Sequence, residues 1–404
     1  MAYPDSAIPA LPASRLTEMR ARDPHEPHRV ASSLELFFDL VFVVAVGVAS
    51  SELHHQLSAG ELLNGVLMYG LTFFAIWWAW MNFTWFATSF AVDDWLYRVV
   101  TFVQMGGVLV LAAGIEPAVE EHDFRMLVWA YVVMRVAMVA QWLRAAVSDR
   151  SLRATSSRYA VGIAATQLLW IAMLALPGRA VPFAVPVLVL AELAVPVIAE
   201  RGRRTPWHPH HITERYGLFT LIVLGESLLA SANAIIEALH SSRKGADAAA
   251  HADLLVSLIG LSALTLITAA ALWWIYFWPP HHGLIGTLRQ SLRYGYVHYF
   301  VFAGAAAFSA GIEVHIDALE DQTRLSRIAV GCSVSIPVAL FVVGIWWIAL
   351  SRFGDRVVNT AVPLAAAAIL LSPLLPGDVA LTAVILVLVV AVLVWRRPVE
   401  RESS

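Results

Sequence analysis

The segment Ala383-Val-Ile-Leu-Val-Leu-Val-Val-Ala-Val-Leu-Val394 decides the fold. Every position is apolar, so neither the helical nor the strand period divides it into a buried and a wetted face. A strand of a transmembrane barrel alternates polar and apolar residues, and this run does not. In hydrocarbon the backbone must satisfy its own hydrogen bonds, which leaves the α-helix.

Similar runs recur along the whole chain. A spanning helix needs about 20 mostly apolar residues. On that measure spans are expected at 31–52, 61–87, 96–115, 124–146, 157–175, 181–199, 212–238, 252–278, 293–312, 328–350, 357–374 and 378–395. The predicted fold is all-α: a polytopic transmembrane helical bundle of about 12 spans. Composition agrees. The 404 residues are 59% hydrophobic and 14% charged, where soluble domains carry about 25% charged residues. Mean hydropathy is +0.69.

The net charge of −3 gives no basic footprint for nucleic acid. The expected partners are membrane lipids and a small ion or solute, with self-association into a homo-oligomer also open to the chain. Cys332 is the only cysteine, which excludes an internal disulfide and a cysteine-based zinc site. No phosphate-cradling G-x-x-x-x-G-K-[ST], G-x-S-x-G or C-x-x-C occurs. No cofactor is expected, and catalysis has no motif to recommend it.

The segments divide as a polar N-terminal tail (1–30), a first transmembrane half (31–199), a basic His-rich linker (200–211), a second transmembrane half (212–395) and a C-terminal tail (396–404). The N-terminal tail has no apolar core before a small-residue cleavage site, so it does not read as a secretory signal. With Pro4, Pro9, Pro12, Pro24 and Pro27 it is expected to be poorly ordered. Arginines set the orientation, because cytoplasmic loops collect positive charge. Arg144, Arg150, Arg153 and Arg158, then Arg201, Arg203 and Arg204, then Arg289 and Arg293, Arg352 and Arg356, and Arg396, Arg397 and Arg401 fall on one side if both termini are cytoplasmic. Acidic loops fall on the other: Glu116, Glu120, Glu121 and Asp123, then Glu313, Asp317, Glu320 and Asp321. Arg243 and Lys244 are the exception.

Two parts of the chain look alike. Glu35-Leu-Phe-Phe-Asp39 is followed by a helix with Trp77-Trp78-Ala-Trp80, and Glu214-Arg-Tyr-Gly-Leu218 by one with Trp273-Trp274-Ile-Tyr276. A six-plus-six duplication would produce this, as in some transporters.

Charges inside a span are costly and point to function. Glu35 and Asp39 are four apart and share a helix face. Glu35 sits near the helix N-terminus, where negative charge is favoured in any case; Asp39 is flanked by Phe37, Phe38, Leu40, Val41 and Phe42. Glu226 lies about a dozen residues into the seventh span, among Gly225, Ser227, Ala230, Ser231 and Asn233. Small residues let helices approach closely, so this helix is expected to be central. Its carboxyl is expected to point inward and to bond to protein groups or water. Glu214 and Arg215 open the same helix, and Arg215 and Glu226 are eleven residues apart on one face. That separation, about 16 Å along the axis, precludes a direct pair. Arg135 is the charge partner offered for Glu226, and Glu192 is an alternative partner for Arg135. The set Glu35, Asp39, Glu214, Arg215, Glu226 and Asn233 forms the candidate substrate or ion pathway. Gln104, Gln141, Gln167 and His298 are further polar groups inside spans.

The histidines mostly sit at span edges: His54-His55, His208-Pro-His210-His211 and His281-His282. Pro209 breaks the i,i+4 geometry of a helical zinc motif, and no metal is expected. The aromatics Trp77, Trp78, Trp80, Phe83, Trp85 and Phe86, with Trp273, Trp274, Tyr276 and Trp278, read first as an interfacial belt.

Ser33-Leu-Glu35-Leu-Phe-Phe-Asp39-Leu-Val-Phe and Glu214-Arg-Tyr-Gly-Leu-Phe-Thr-Leu-Ile-Val-Leu-Gly-Glu226 resemble the two signature segments of the bacterial low temperature requirement A family. The resemblance extends over essentially the whole chain and implies a multi-pass protein of the bacterial inner membrane; the family name specifies no biochemical activity. A fainter likeness to endolysosomal potassium channels rests on Arg29 preceding Phe38-Asp39, but Leu218 stands where the second repeat of those channels has Asp. Three functions follow as expectations: a channel or carrier for a proton, ion or small solute using the buried acids; a lipid-acting enzyme or lipid-binding protein in cold adaptation; or a structural or sensory protein without turnover.

Overall fold

The computed structural model describes residues 16–24, 26, 30–242 and 248–396. The proline-bearing start of the tail, most of His25–Arg29, the pair Arg243 and Lys244, and the chain after Arg396 lie outside those residues. The helices are α1 (Ser33–Ser58), α2 (Leu62–Ser89), α3 (Trp95–Ala113), the short α4 (Ile115–Glu120), α5 (Arg125–Ser148), α6 (Arg153–Met173), α7 (Val181–Ala199), α8 (Pro209–Ser242), α9 (Ala248–Phe277), α10 (Leu288–Leu319), α11 (Arg327–Ile345), α12 (Ser351–Phe353), α13 (Arg356–Leu371) and α14 (Asp378–Trp395). A π-turn at Trp346–Leu350 joins α11 to α12. The expected polytopic helical bundle is what forms. Among the described residues 11 helices are long and apolar enough to cross a membrane. The remaining expected span is α6, 21 residues long, which opens with Arg153 and Arg158 and so falls below the others in hydropathy.

Several helix starts follow directly from the sequence. Ser32 and Glu35 form a capping box: the Glu35 N–H donates to Ser32 Oγ at 3.3 Å, and the Ser32 N–H donates back to Glu35 Oε2 at 2.7 Å. Thr287 and Gln290 do the same for α10, while Asp94, Ser326 and Asp355 cap α3, α11 and α13.

By contact the chain divides into two compact units. One runs to Val41 and takes in Asn82–Gly114 and Phe124–His208; the other holds Phe42–Met81, Ile115–Asp123 and the chain from Pro209.

In the first unit α5 packs on α3 and α6, and α6 packs on α7. Val128, Met173 and Leu188 form an apolar cluster. Trp142 stacks on Tyr159 with centroids 4.1 Å apart. The described part of the N-terminal tail is not loose. Met19 is fully buried, and Arg20–Ala21 pairs antiparallel with Phe90–Ala91. The Thr17 N–H donates to Asp94 Oδ2 at 3.0 Å, and the Ala21 N–H to Asp149 Oδ2 at 3.2 Å. Arg144 binds both Asp94 and the Thr17 carbonyl. Burial opposes ionisation of Asp94, but Arg144 and the N–H groups of Tyr97 and Thr17 outweigh it and hold the carboxyl well below the usual range. Of the prolines on which the expected disorder rested, only Pro24 is described, and the described residues Thr17 and Ala21 are held by two carboxylates at helix ends.

In the second unit α10 is the central helix, and α8 and α11 pack against it. A Cβ at Gly304 would lie 2.7 Å from the Pro337 carbonyl, and one at Gly311 would run into the Ser333 backbone. Glycine therefore sets the α10–α11 distance, in the manner of small-residue membrane interfaces.

Candidate functional site

In the second unit α1, α8 and α10 bring together acids that the sequence kept apart. His54 on α1 lies between two carboxylates of α10. Its Nδ1 is 3.0 Å from Glu313 Oε2, and its Nε2 is 2.7 Å from Asp317 Oδ2. Ser58, one turn further along α1, donates to the same Asp317 oxygen at 2.5 Å. Ser50, one turn back, donates to the Ala306 carbonyl at 3.0 Å. The i,i+4 spacing of His54 with Ser58 and of Glu313 with Asp317 puts each pair on one helix face.

Both contacts are hydrogen bonds if the ring carries two hydrogens and donates to each acid, or if it carries one and a protonated carboxyl donates to its other nitrogen. His54, Glu313 and Asp317 are 15%, 28% and 18% exposed at the side chain, so none of the three is sealed in the core. The two ring nitrogens point at different acids, which is not a chelating arrangement. Among the described residues no group of three His, Cys, Asp or Glu is placed to hold a metal ion.

Glu226 of α8 joins this set. A Cβ at Gly47 would lie 3.5 Å from Glu226 Oε2, so the carboxylate rests against the bare backbone of α1. Glu313 is close enough to act on it electrostatically. Glu226 is half-buried, and its carboxylate takes no hydrogen bond from a described residue. The inward-pointing carboxyl was expected to bond to protein groups or water, and on the protein side it meets Gly47, which offers space and no side-chain donor. Arg135 is also not the partner: it pairs with Glu192 in the first unit, Nη2 to Oε2 at 3.3 Å, each about 2% exposed. The guanidinium also sits 5.0 Å from the Tyr131 ring centroid.

The other expected pathway residues fall as follows. Arg215 is fully buried, its guanidinium carbon 5.8 Å from the Trp80 ring centroid. Glu214 is half-buried, and Asn233 is exposed on the outer face of α8, away from the helix's own buried stripe of Val223, Ser227 and Ala230. In the first unit Asp39 is fully buried, next to Phe38, which stacks on Phe83 at 3.8 Å. Glu35 is 2% exposed and spent on the capping box.

A second buried network lies between α9 and α10. The Tyr276 hydroxyl is 3.1 Å from His298 Nε2, and His298 Nδ1 is 2.7 Å from the Tyr294 carbonyl. The Tyr294 hydroxyl is 3.0 Å from His281 Nδ1, and His281 Nε2 is 2.6 Å from the Tyr276 carbonyl. Each carbonyl accepts from a ring N–H, which leaves the other nitrogen of each ring facing a tyrosine hydroxyl. Burial pushes the His281 imidazole down to about 4, against the opposing pull of the Tyr276 carbonyl.

The first half of the expected aromatic belt is core. Trp77, Trp78, Trp80, Phe83 and Phe86 are at most 1% exposed. Trp80 packs on Tyr216, Phe219 and Phe302. Only Trp273 and Trp274, 43% and 42% exposed, face outward as a belt would. Buried amide nitrogens of Gln104, Gln141 and Gln167 have no hydrogen-bond partner among the described residues.

The sequence missed His54, Glu313 and Asp317 as a site because it ended the first and ninth spans at 52 and 312. Both helices continue, to Ser58 and Leu319. The signal that could have found them is the i,i+4 spacing just past each apolar run.

Comparison with known proteins adds two findings. A family model described as Bacterial low temperature requirement A protein matches residues 30–395. An uncharacterized protein of Rhizobium meliloti (strain 1021) is 27% identical over 260 residues, 61% of this chain and 58% of that protein. The chain thus spans about three fifths of the length of the curated relative it matches.

Proposed function

The chain belongs to the bacterial low temperature requirement A family, and from that premise and the acid–histidine cluster we propose that it is a channel or carrier for a proton, an ion or a small solute. The observation that carries this reading is His54 held between Glu313 and Asp317, with Glu226 against Gly47. His54, Glu313 and Asp317 lie within the last turns of α1 and α10, while Glu226 lies further into its span, where an ionisable group is costly unless it pairs or meets water. The first three pair in a way that moves a proton between oxygen and nitrogen without moving a heavy atom. Glu226 supplies the one carboxylate of the set with no donor of its own, the position a travelling cation or proton would occupy. Arg215 and Asp39 are the further candidate pathway groups.

The proposed setting is the bacterial inner membrane with both termini cytoplasmic. The arginine distribution supports it, and it requires α6 to span. At about 1.5 Å per residue its 21 residues reach roughly 31 Å, a bilayer's hydrocarbon thickness. Arg153 and Arg158 sit in its first turns, where arginine reaches the interface. Proteoliposomes loaded with a pH-sensitive dye test the reading. Proton, potassium, sodium and small-solute gradients that decay no faster than in empty liposomes would sink it.

A further inference from the structure

A cleft of about 650 Å³ opens between α9 and the ends of α10, α11 and α14. We propose that it binds a glycerophospholipid with an ethanolamine headgroup. One wall is a single face of α9: Ser257, Gly260, Leu261 and Leu264 recur every three or four residues. Beside it, Val256, Ile259 and Leu266 are 56–70% exposed, so this helix opens sideways to apolar surroundings. The other wall is polar and lies at helix ends. Arg327 and Asp378 are the first residues of α11 and α14, and Asp321 follows the last turn of α10. Helix ends lie at headgroup depth, whereas Gly260 and Leu264 lie about 12–18 Å along α9 from its apolar start at Ala252, the depth of an acyl chain.

The charges select the headgroup. Asp378 is engaged by His315 at 3.2 Å and by the N–H groups at the start of its own helix. Arg327 donates to the carbonyls of Leu375 at 2.9 Å and Leu374 at 3.4 Å. A guanidinium has about five N–H donors, so several remain for a phosphate. Asp321 stands exposed in the left-handed region at φ 57°, a conformation that asparagine and aspartate tolerate best. Its carboxylate takes no hydrogen bond from a described residue. With the Asp378 carboxylate already hydrogen-bonded, the charged side chains with bonding capacity left on the cleft are one cation, Arg327, and one anion, Asp321, which matches a phosphate joined to an ammonium. The site stands apart from the transport reading and involves none of its residues.

Native mass spectrometry of the full chain, stripped of lipid in detergent, tests this. The probes are dioleoyl phosphatidylethanolamine, dioleoyl phosphatidylglycerol and phosphoethanolamine alone. A Cβ at Gly260 meets nothing within 4 Å, so Gly260→Leu fills the cleft without strain. Ser257→Trp, one turn away on an exposed position, is the second filling variant. The wild type should retain the ethanolamine lipid over the glycerol lipid, and phosphoethanolamine should leave no adduct. Either filling variant, with an unchanged melting temperature, should lower retention about tenfold, the loss of about two buried methylenes. Asp321→Asn should abolish the preference between the lipids. Undiminished adducts in both filling variants, equal retention of the two lipids by the wild type, or retention of phosphoethanolamine alone would each overturn the proposal.

Discussion

Arg135 and Glu192 meet at 3.3 Å between α5 and α7, each about 2% exposed. Neither charge has an exit to solvent from there, so each depends on the other. Removing one partner of a buried pair strands a charge, at about 3–5 kcal/mol, whereas replacing both by apolar residues is often neutral. Arg135→Met and Glu192→Met are each expected to lower unfolding stability in detergent by that amount, and the double variant to recover most of it. Additive losses in a double-mutant cycle would mean that the pair is not the source of the cost.

His54 is the residue on which the transport reading turns. His54→Gln keeps a donor and an acceptor but cannot carry a proton through both nitrogens. Proton flux in reconstituted vesicles should fall at least about tenfold, an amount of about 1.4 kcal/mol in barrier. Glu226→Gln removes titration while keeping shape and should reduce flux by a similar factor. Full flux in both variants would reduce the cluster to helix packing.

His281 gives the fold a pH dependence of definite sign. Its imidazole titrates at about 4 in the folded chain and near the ordinary 6.5 when unfolded. Between these values the unfolded state binds the extra proton, so stability rises with pH across the window. It is complete above pH 6.5 and is lost as pH falls toward 4, by on the order of 3 kcal/mol. Melting curves from pH 4 to pH 7 should show this slope, and His281→Gln should flatten it.

The topology is checked by single cysteines in a Cys332→Ser background. Glu121 and Arg203 are both exposed and suit the experiment, while Ala118 in the same acidic loop is buried. Impermeant reagent applied outside cells should label Glu121→Cys and spare Arg203→Cys. The reverse pattern would invert the proposed orientation, and labelling of both from outside would remove one crossing between them.

The spans were legible because hydropathy is a local property: Ala383–Val394 needs no neighbour to declare itself a membrane helix. Where the helices end was less so. Glu313, Asp317 and His54 look like loop residues when each is judged alone, since the cost of taking each into a helix is offset only by the others. The pairing of Arg135 with Glu192 was visible as one of two options, since either acid could answer the arginine. Trp77, Trp78 and Trp80 look like belt residues by type, and only packing assigns them to the interior. The order of the described part of the N-terminal tail was hidden for a related reason. Its order comes from Asp94 and Asp149, which lie far along the chain and capture its backbone N–H groups.

The glycine contacts between α10 and α11 have a mechanical consequence. With Gly304 against the Pro337 carbonyl and Gly311 against the Ser333 backbone, no layer of side chains separates the two helices to act as a lubricant. A Cβ at either position would collide with the facing backbone, so any larger residue there would push the two helices apart. The pair is therefore a stiff beam, and Glu313 and Asp317 are fixed to it. An opening of the acid cluster is therefore expected on the side of α1, with His54, and α8, with Glu226, which this glycine contact does not lock.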